Sequence, residues 1–321
     1  MLRKTIGLTF VGLSVLGTAA ILRAYQREIR PARARVLAGG MIADTALGKI
    51  EYGVAGAGAP LFSIHGAGGG YDQGLLIAEA LVGGGFQVIA PSRFGYLRTP
   101  TPSDVSPSAQ ADAHAALLDV LGVDRAIVVG TSAGAPSAMQ LAIRYPKRVA
   151  AVILLVPRAF APGHTVQVDS TPANHAVLKV IQAGSDFAYW SMLHATPRKL
   201  MRFMGVQPEV VETAAPSERE WAMHVLTGIM PLSMRVAGIE NDSAISLDEA
   251  WPLERICAPT LIVTSSDDLF HTQPAAEYTA AHIPGAQLVV YPTGGHFFIG
   301  HSEDVRSAVR GFLQTAQIPA L

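Results

Sequence analysis

The stretch Ala126-Ile-Val-Val-Gly-Thr-Ser-Ala-Gly-Ala135 carries the strongest structural signal in the chain. A β-branched apolar run ends in Gly130-Thr-Ser132-Ala-Gly134, and a small-residue helical pattern follows directly. That is the pattern of a buried parallel strand, a tight turn and a helix start, with one hydroxyl at the apex. Glycines two positions either side of Ser132 remove Cβ atoms where the turn would crowd them. The helix start aims backbone N–H groups at charge forming beside the hydroxyl. A G-x-S-x-G match arises by chance in about one such chain in five, so its surroundings decide its meaning.

Outward from this turn, the chain alternates strand and helix. Met41–Thr45 and Lys49–Val54 suggest a hairpin around Leu47-Gly48, and Pro60–Ile64 a buried strand ended by His65-Gly-Ala-Gly-Gly-Gly70. Helical patterns over Gln73–Val82 and Ser108–Leu121 flank a strand at Phe86–Ala90. After the Ser132 turn and its helix, Val149–Val156 is another continuous apolar strand. The rhythm stops at Pro157 and resumes with strands at Pro259–Val263 and Gln287–Tyr291 and helices at Pro274–His282 and from Ser302 to about Thr315. Such alternation implies an α/β fold: a mostly parallel sheet of eight strands flanked by helices. Residues 36–157 and 252–321 form the expected core, and 158–251 a helical cap without a convincing strand. Six of the nine methionines and all three tryptophans lie in that cap.

Composition narrows the classes. The chain has 321 residues, 15% charged and 50% hydrophobic, with a formal net charge of −1. That charge offers no field for nucleic acid, and mean hydropathy of +0.31 is high for a soluble enzyme. The lone Cys257 excludes an intrachain disulfide and a cysteine-rich metal site, and its place before an apolar strand suggests a buried thiol. Residues 1–35 read separately. Arg3 and Lys4 precede an uncharged, mostly apolar run, Thr5–Leu22, closed by Arg23, Arg27, Arg30, Arg33 and Arg35. The run has the minimum length that spans a bilayer, which favours an uncleaved transmembrane helix holding the protein at the membrane. The alternative is a signal peptide cleaved near Gly17-Thr-Ala19, leaving a secreted or periplasmic protein. Flanking charge leaves the side of the membrane open.

A serine hydroxyl needs a base, and the base an orienting acid. Thr264-Ser-Ser-Asp-Asp268 follows one late strand and Pro292-Thr-Gly-Gly-His296 the next. Catalytic groups of open α/β sheets gather at these carboxyl ends, which brings Ser132, a carboxylate and His296 to one edge. Four pieces in this order, His65-Gly-Ala67, Gly130–Gly134, Ser266-Asp-Asp268 and Gly294-Gly-His296, resemble the α/β-hydrolase superfamily over about residues 40–316. The resemblance implies Ser132 as nucleophile, His296 as base then acid, and Asp268, preferred over Asp267, as its orienter. It also implies an oxyanion hole from the amides of Ala67 and Ala133, a loop-holding role for Arg93, and no cofactor or metal. His65 braces the oxyanion loop or borders the substrate, and Met192, Met201, Trp221 and Phe297 are the expected pocket walls.

The implied substrate is a small apolar ester. Similar families keep alternatives open. Hydrolases of carbon–carbon bonds in ring-cleavage products (2-hydroxy-6-oxo-dienoates) place a tryptophan after the histidine and a carboxylate-binding arginine in the cap. Here Phe297 follows His296, and Arg198 and Arg202 lie in the cap. Cofactor-free perhydrolases (haloperoxidases) share the triad, and a ligand receptor on a hydrolase scaffold is the reading from another class.

Overall fold

A computed structural model describes residues 2–164, 171–247, 249–316 and 318, with side chains described from residue 17 onward. Eight strands form one sheet: β1 (Met41–Thr45), β2 (Gly48–Gly56), β3 (Ala59–Ile64), β4 (Phe86–Pro91), β5 (Ala126–Thr131), β6 (Val149–Leu155), β7 (Thr260–Ser265) and β8 (Gln287–Tyr291). Their spatial order is β1-β2-β4-β3-β5-β6-β7-β8. The first two join antiparallel, and every pair from β4 to β8 is parallel.

Around the sheet run α1 (Leu2–Gly39), α2 (Tyr71–Ile77), α3 (Pro107–Val120), α4 (Ala135–Arg144), α11 (Gln273–His282) and α12 (Ser302–Thr315). Between β6 and β7 lie α5 (Pro172–Gln182), α6 (Asp186–Ala195), α7 (Pro197–Phe203), α8 (Pro208–Thr213), α9 (Pro216–Gly228) and α10 (Val236–Ala244). Because successive strand side chains face opposite ways, each central strand feeds two cores. Phe62, Val128, Val152 and Ile262 pack with α3, α4 and α11, whereas Leu61, Val129, Ile153 and Val263 pack with α2 and α12. β6 is buried at all seven positions, which explains its unbroken apolar sequence. The six inserted helices bury a third cluster of their own, including Trp190, Leu200, Met201 and Leu226.

One expectation lies mostly outside the described residues, and another is corrected. The membrane span expected over Thr5–Leu22 lies mostly outside the residues whose side chains are described, and among the described residues no helix is long and apolar enough to cross a membrane. The C-terminal part of α1, from about Tyr25, packs against the rest of the chain. Ile29 and Val36 are buried, Tyr25 meets Phe187 and Trp190 edge-on at 5.2 and 5.7 Å, and Arg33 pairs with Asp186 of α6 at 2.8 Å. Arg35 pairs with Asp72 of α2 and donates to the carbonyls of Gly228 and Met230. Arginines read as flanks of a span therefore include two that fasten α1 to the fold. Cys257, expected to be buried, is exposed in the segment before β7, because burial alternates there between Ile256 and Ala258 and becomes continuous only at Thr260.

Candidate active site

Ser132 stands between β5 and α4 with φ +49°, a left-handed backbone that costs a residue with a side chain about 1–3 kcal/mol. The strain sits on the serine; the glycines serve close approach. A Cβ at Gly134 would come within 2.6 Å of the carbonyl oxygens of both Ile64 and His65, and one at Gly130 within 2.6 Å of Ala138 Cβ. The motif thus lets α4 lie against β3 and β5 while the hydroxyl is thrust out at the strand's carboxyl end.

Asp268 and His296 leave β7 and β8 and meet, Nδ1 lying 2.8 Å from Asp268 Oδ2. Thr272 Oγ1 also donates to Oδ2 at 2.5 Å, and the Phe270 amide to Oδ1 at 2.9 Å. Burial alone would raise the carboxyl's pKa, but the His296 charge and these donors outweigh it and hold Asp268 below the usual carboxylate range. Asp267 turns the other way: its oxygens accept the amides of Gly294 and Gly295 at 3.2 and 2.7 Å, shaping the loop that presents His296. Phe270 stands edge-on to the His296 ring at 4.6 Å.

One contact is illegible in the motifs. Gly205, just past α7, has φ +85°, and its carbonyl accepts the amides of His296 and Leu269, each at 3.1 Å. A Cβ there would stand 2.7 Å from His296 Cβ and 3.0 Å from Asp268 Oδ1. The inserted helices therefore pack directly on the Asp268–His296 pair. A glycine after a seven-residue helix was the available signal, but it reads equally as an ordinary helix stop.

The His65–Gly70 loop is tied down by a buried polar network. The Arg93 amide donates to His65 Nε2 at 3.0 Å, so the neutral ring carries its proton on Nδ1 and donates to the Gly66 carbonyl at 2.7 Å. Burial and then the Arg93 charge push the His65 pKa well down, consistent with that neutral tautomer. The Arg93 guanidinium reaches the carbonyls of His65 and Gly66 at 2.9 and 3.2 Å and grips both oxygens of Asp242 on α10 at 2.6 and 2.7 Å. Tyr96 donates its hydroxyl to Asp242 at 2.5 Å and accepts the Gly68 amide at 3.2 Å. On the far side of the loop, the fully buried Arg235 donates to the Gly69 carbonyl and to Asp72.

Ser132 and His296 line one cavity of about 830 Å³, within the roughly 300–1,000 Å³ of small-molecule sites. Ala67 and Ala133 line it as well. Ile77, Leu81, Trp221, Val225 and Phe297 supply apolar wall, and Trp221 is fixed by its indole N–H donating to the Phe297 carbonyl at 3.0 Å. Of the expected walls, Trp221 and Phe297 border the cavity; His65, Met192 and Met201 do not. His65 is sealed behind its loop, and both methionines face the core of the helical insertion. Met204, one turn on, takes a lining position instead. Arg198 and Arg202 also lie outside: Arg198 pairs with Glu209 and Glu212, and Arg202 donates to Gln207 at 2.8 Å.

The α/β-hydrolase fold model matches residues 59–300. The chain belongs to the α/β-hydrolase family. This hydrolase is 26% identical over 289 residues to an uncharacterized hydrolase, YcgS, of Bacillus subtilis, covering 84% of this chain and 96% of that one. It is 25% identical over 254 residues to 2-hydroxy-6-oxo-6-phenylhexa-2,4-dienoate hydrolase of Burkholderia cepacia, covering 78% and 85%. Among solved structures, an α/β-hydrolase fold protein from Nakamurella multipartita superposes with TM-score 0.69 at 28% identity, covering 86% and 99%. As an α/β-hydrolase the chain is an enzyme, and relatives of this kind act on small molecules.

Proposed function

We propose that this α/β-hydrolase cleaves carboxylic esters of apolar acyl groups through an acyl-enzyme on Ser132. The observation that carries the reading is that the Ser132 elbow and His296, itself paired with the buried Asp268, line the same largely apolar cavity. His296 takes the Ser132 proton as Oγ attacks the ester carbonyl, and Asp268 holds the ring and balances the charge it gains. The amides of Ala67 and Ala133 stabilise the tetrahedral oxyanion, each such donor being worth about 10²–10³ in rate. The alcohol departs with the proton from His296, and water then releases the acid by the reverse sequence. Trp221, Val225 and Phe297 hold the acyl chain.

A second reading, hydrolysis of a carbon–carbon bond in a ring-cleavage product, draws support from the resemblance to the Burkholderia dienoate hydrolase. The ester reading ranks first because no tryptophan follows His296. Turnover of p-nitrophenyl esters from acetate to decanoate tests the proposal, with Ser132→Ala as control. Activity lost in that variant is the expected result. A panel without Ser132-dependent turnover, alongside hydrolysis of a dienoate, would transfer the assignment to the second reading.

A further inference from the structure

β6 carries seven buried apolar residues, and the chain then places a guanidinium, Arg158, at the mouth of the strand beside β5. Val156 turns the chain there with φ +42°, an outlying conformation for a β-branched residue. The turn brings the Arg158 amide to 3.1 Å from the Ser132 carbonyl, and Arg158 lines the same cavity as Ser132. A guanidinium stays charged at any working pH, so this wall is cationic throughout.

Among the described residues the charge is incompletely answered. Asp242 is the one carboxylate among the described lining residues, and Arg93 and Tyr96 already occupy its oxygens. Among the described residues, two arginines and one aspartate leave this corner one positive charge in excess. Arg158 itself donates to the carbonyls of Asp242 and Ile245, both at 2.9 Å, at the end of α10. Those bonds use two of its five N–H donors, and the other three meet no acceptor among the described residues. Burial disfavours the Arg158 cation more than the Asp242 charge restores it. A carboxylate from outside would offer the missing charge and a planar acceptor for the free donors.

We propose that Arg158 forms an anion subsite beside Ser132, across β5 from the oxyanion loop, and selects ester substrates that carry a free carboxylate. Selection then works at two surfaces: the Trp221 wall takes apolar chain, and the Arg158 wall takes the charged end. The proposal rests on Ser132 being the reacting hydroxyl. The bland alternative is a clamp, because cations are also favoured at a helix C-terminus such as that of α10. A clamp would affect charged and neutral substrates alike.

The test compares the p-nitrophenyl half-ester of glutaric acid with neutral p-nitrophenyl valerate, which has the same acyl length. Wild type is expected to favour the half-ester in kcat/KM. Arg158→Met lowers the ratio of half-ester to valerate by about 10- to 100-fold, the worth of a hydrogen bond to a charged group. Arg158→Lys keeps the charge and loses the fork, so its ratio falls between the two. No wild-type preference, an unchanged ratio in Arg158→Met, or a Lys variant no better than Met overturns the subsite. Calorimetry on Ser132→Ala with monoethyl glutarate and ethyl valerate tests the same preference without turnover. If neither p-nitrophenyl ester is hydrolysed yet monoethyl glutarate binds in an Arg158-dependent way, the ester reading fails and the subsite stands; equal binding of both ligands overturns it.

Discussion

Substituting Asp242 by asparagine should destabilise the protein far more than a typical polar change. The Asp242 and Arg93 side chains are only 6% and 4% exposed, and the carboxylate answers both terminal nitrogens of Arg93 as well as the Tyr96 hydroxyl. Asparagine keeps one acceptor oxygen but no charge, so the buried guanidinium loses its counter-ion. Breaking one side of a buried pair typically costs about 3–5 kcal/mol. Each kcal/mol moves the thermal midpoint of a chain this long by about 1.5 °C, which puts the loss near 5–7 °C. Scanning calorimetry at pH 7 reads it directly. The companion variant Arg93→Met/Asp242→Leu removes both charges and should recover most of the midpoint, since the penalty comes from the orphaned charge. A shift below about 1 °C in Asp242→Asn, or a double variant worse than the single one, would refute the assignment of this pair as a buried tie between the His65–Gly70 loop and α10.

Gly205→Ala forces a methyl to 2.7 Å from His296 Cβ, and displacing that ring by about 1 Å should lower kcat by about 10²-fold with little change in KM; unchanged kcat would show that Gly205 does not position His296. Asp268→Asn should cost about 10⁴ in kcat, whereas Asp267→Asn, which only loosens two loop amides, should cost under about 10-fold; a reversed order of the two would reassign the acid. Asp72 is held down to about 2 from 3.8 because Arg235 and Arg35 outweigh its burial. A depressed carboxylate contributes stability that is complete above its unfolded pKa and lost as pH falls through the folded one, so about 2 kcal/mol should vanish between pH 4 and pH 2. Urea midpoints followed over that window in wild type and Asp72→Asn should diverge at pH 4 and converge at pH 2; parallel curves would contradict the depression of the Asp72 pKa by its arginines.

The sheet was legible because β5, β6 and β7 are buried on both faces and must be written in apolar residues, while Gly130–Gly134 and the Asp267–His296 loops mark their ends. Which residues bear the strain was not legible: Ser132, not a glycine, adopts the left-handed backbone. The helical insertion was read at the level of composition only. α7 has seven residues, too few for periodicity to say that Met201 faces inward and that Met204, past its end, meets the cavity. His65, Arg93 and Asp242 are separated by up to 177 positions, and only folding reveals that they share one network. The same limit hid the docking of α1. Its arginines look alike in sequence, but Arg33 and Arg35 find Asp186 and Asp72 only in three dimensions.

The central claim is that Ser132 is the nucleophile of an acyl-transfer site. Incubating the folded protein with a fluorophosphonate probe and mapping the adduct by mass spectrometry addresses it most directly. One covalent adduct is expected on Ser132, absent from Ser132→Ala and formed at least about tenfold more slowly in His296→Ala. Folded wild-type protein that stays unlabelled, or an adduct on any other residue that persists in Ser132→Ala, would contradict it.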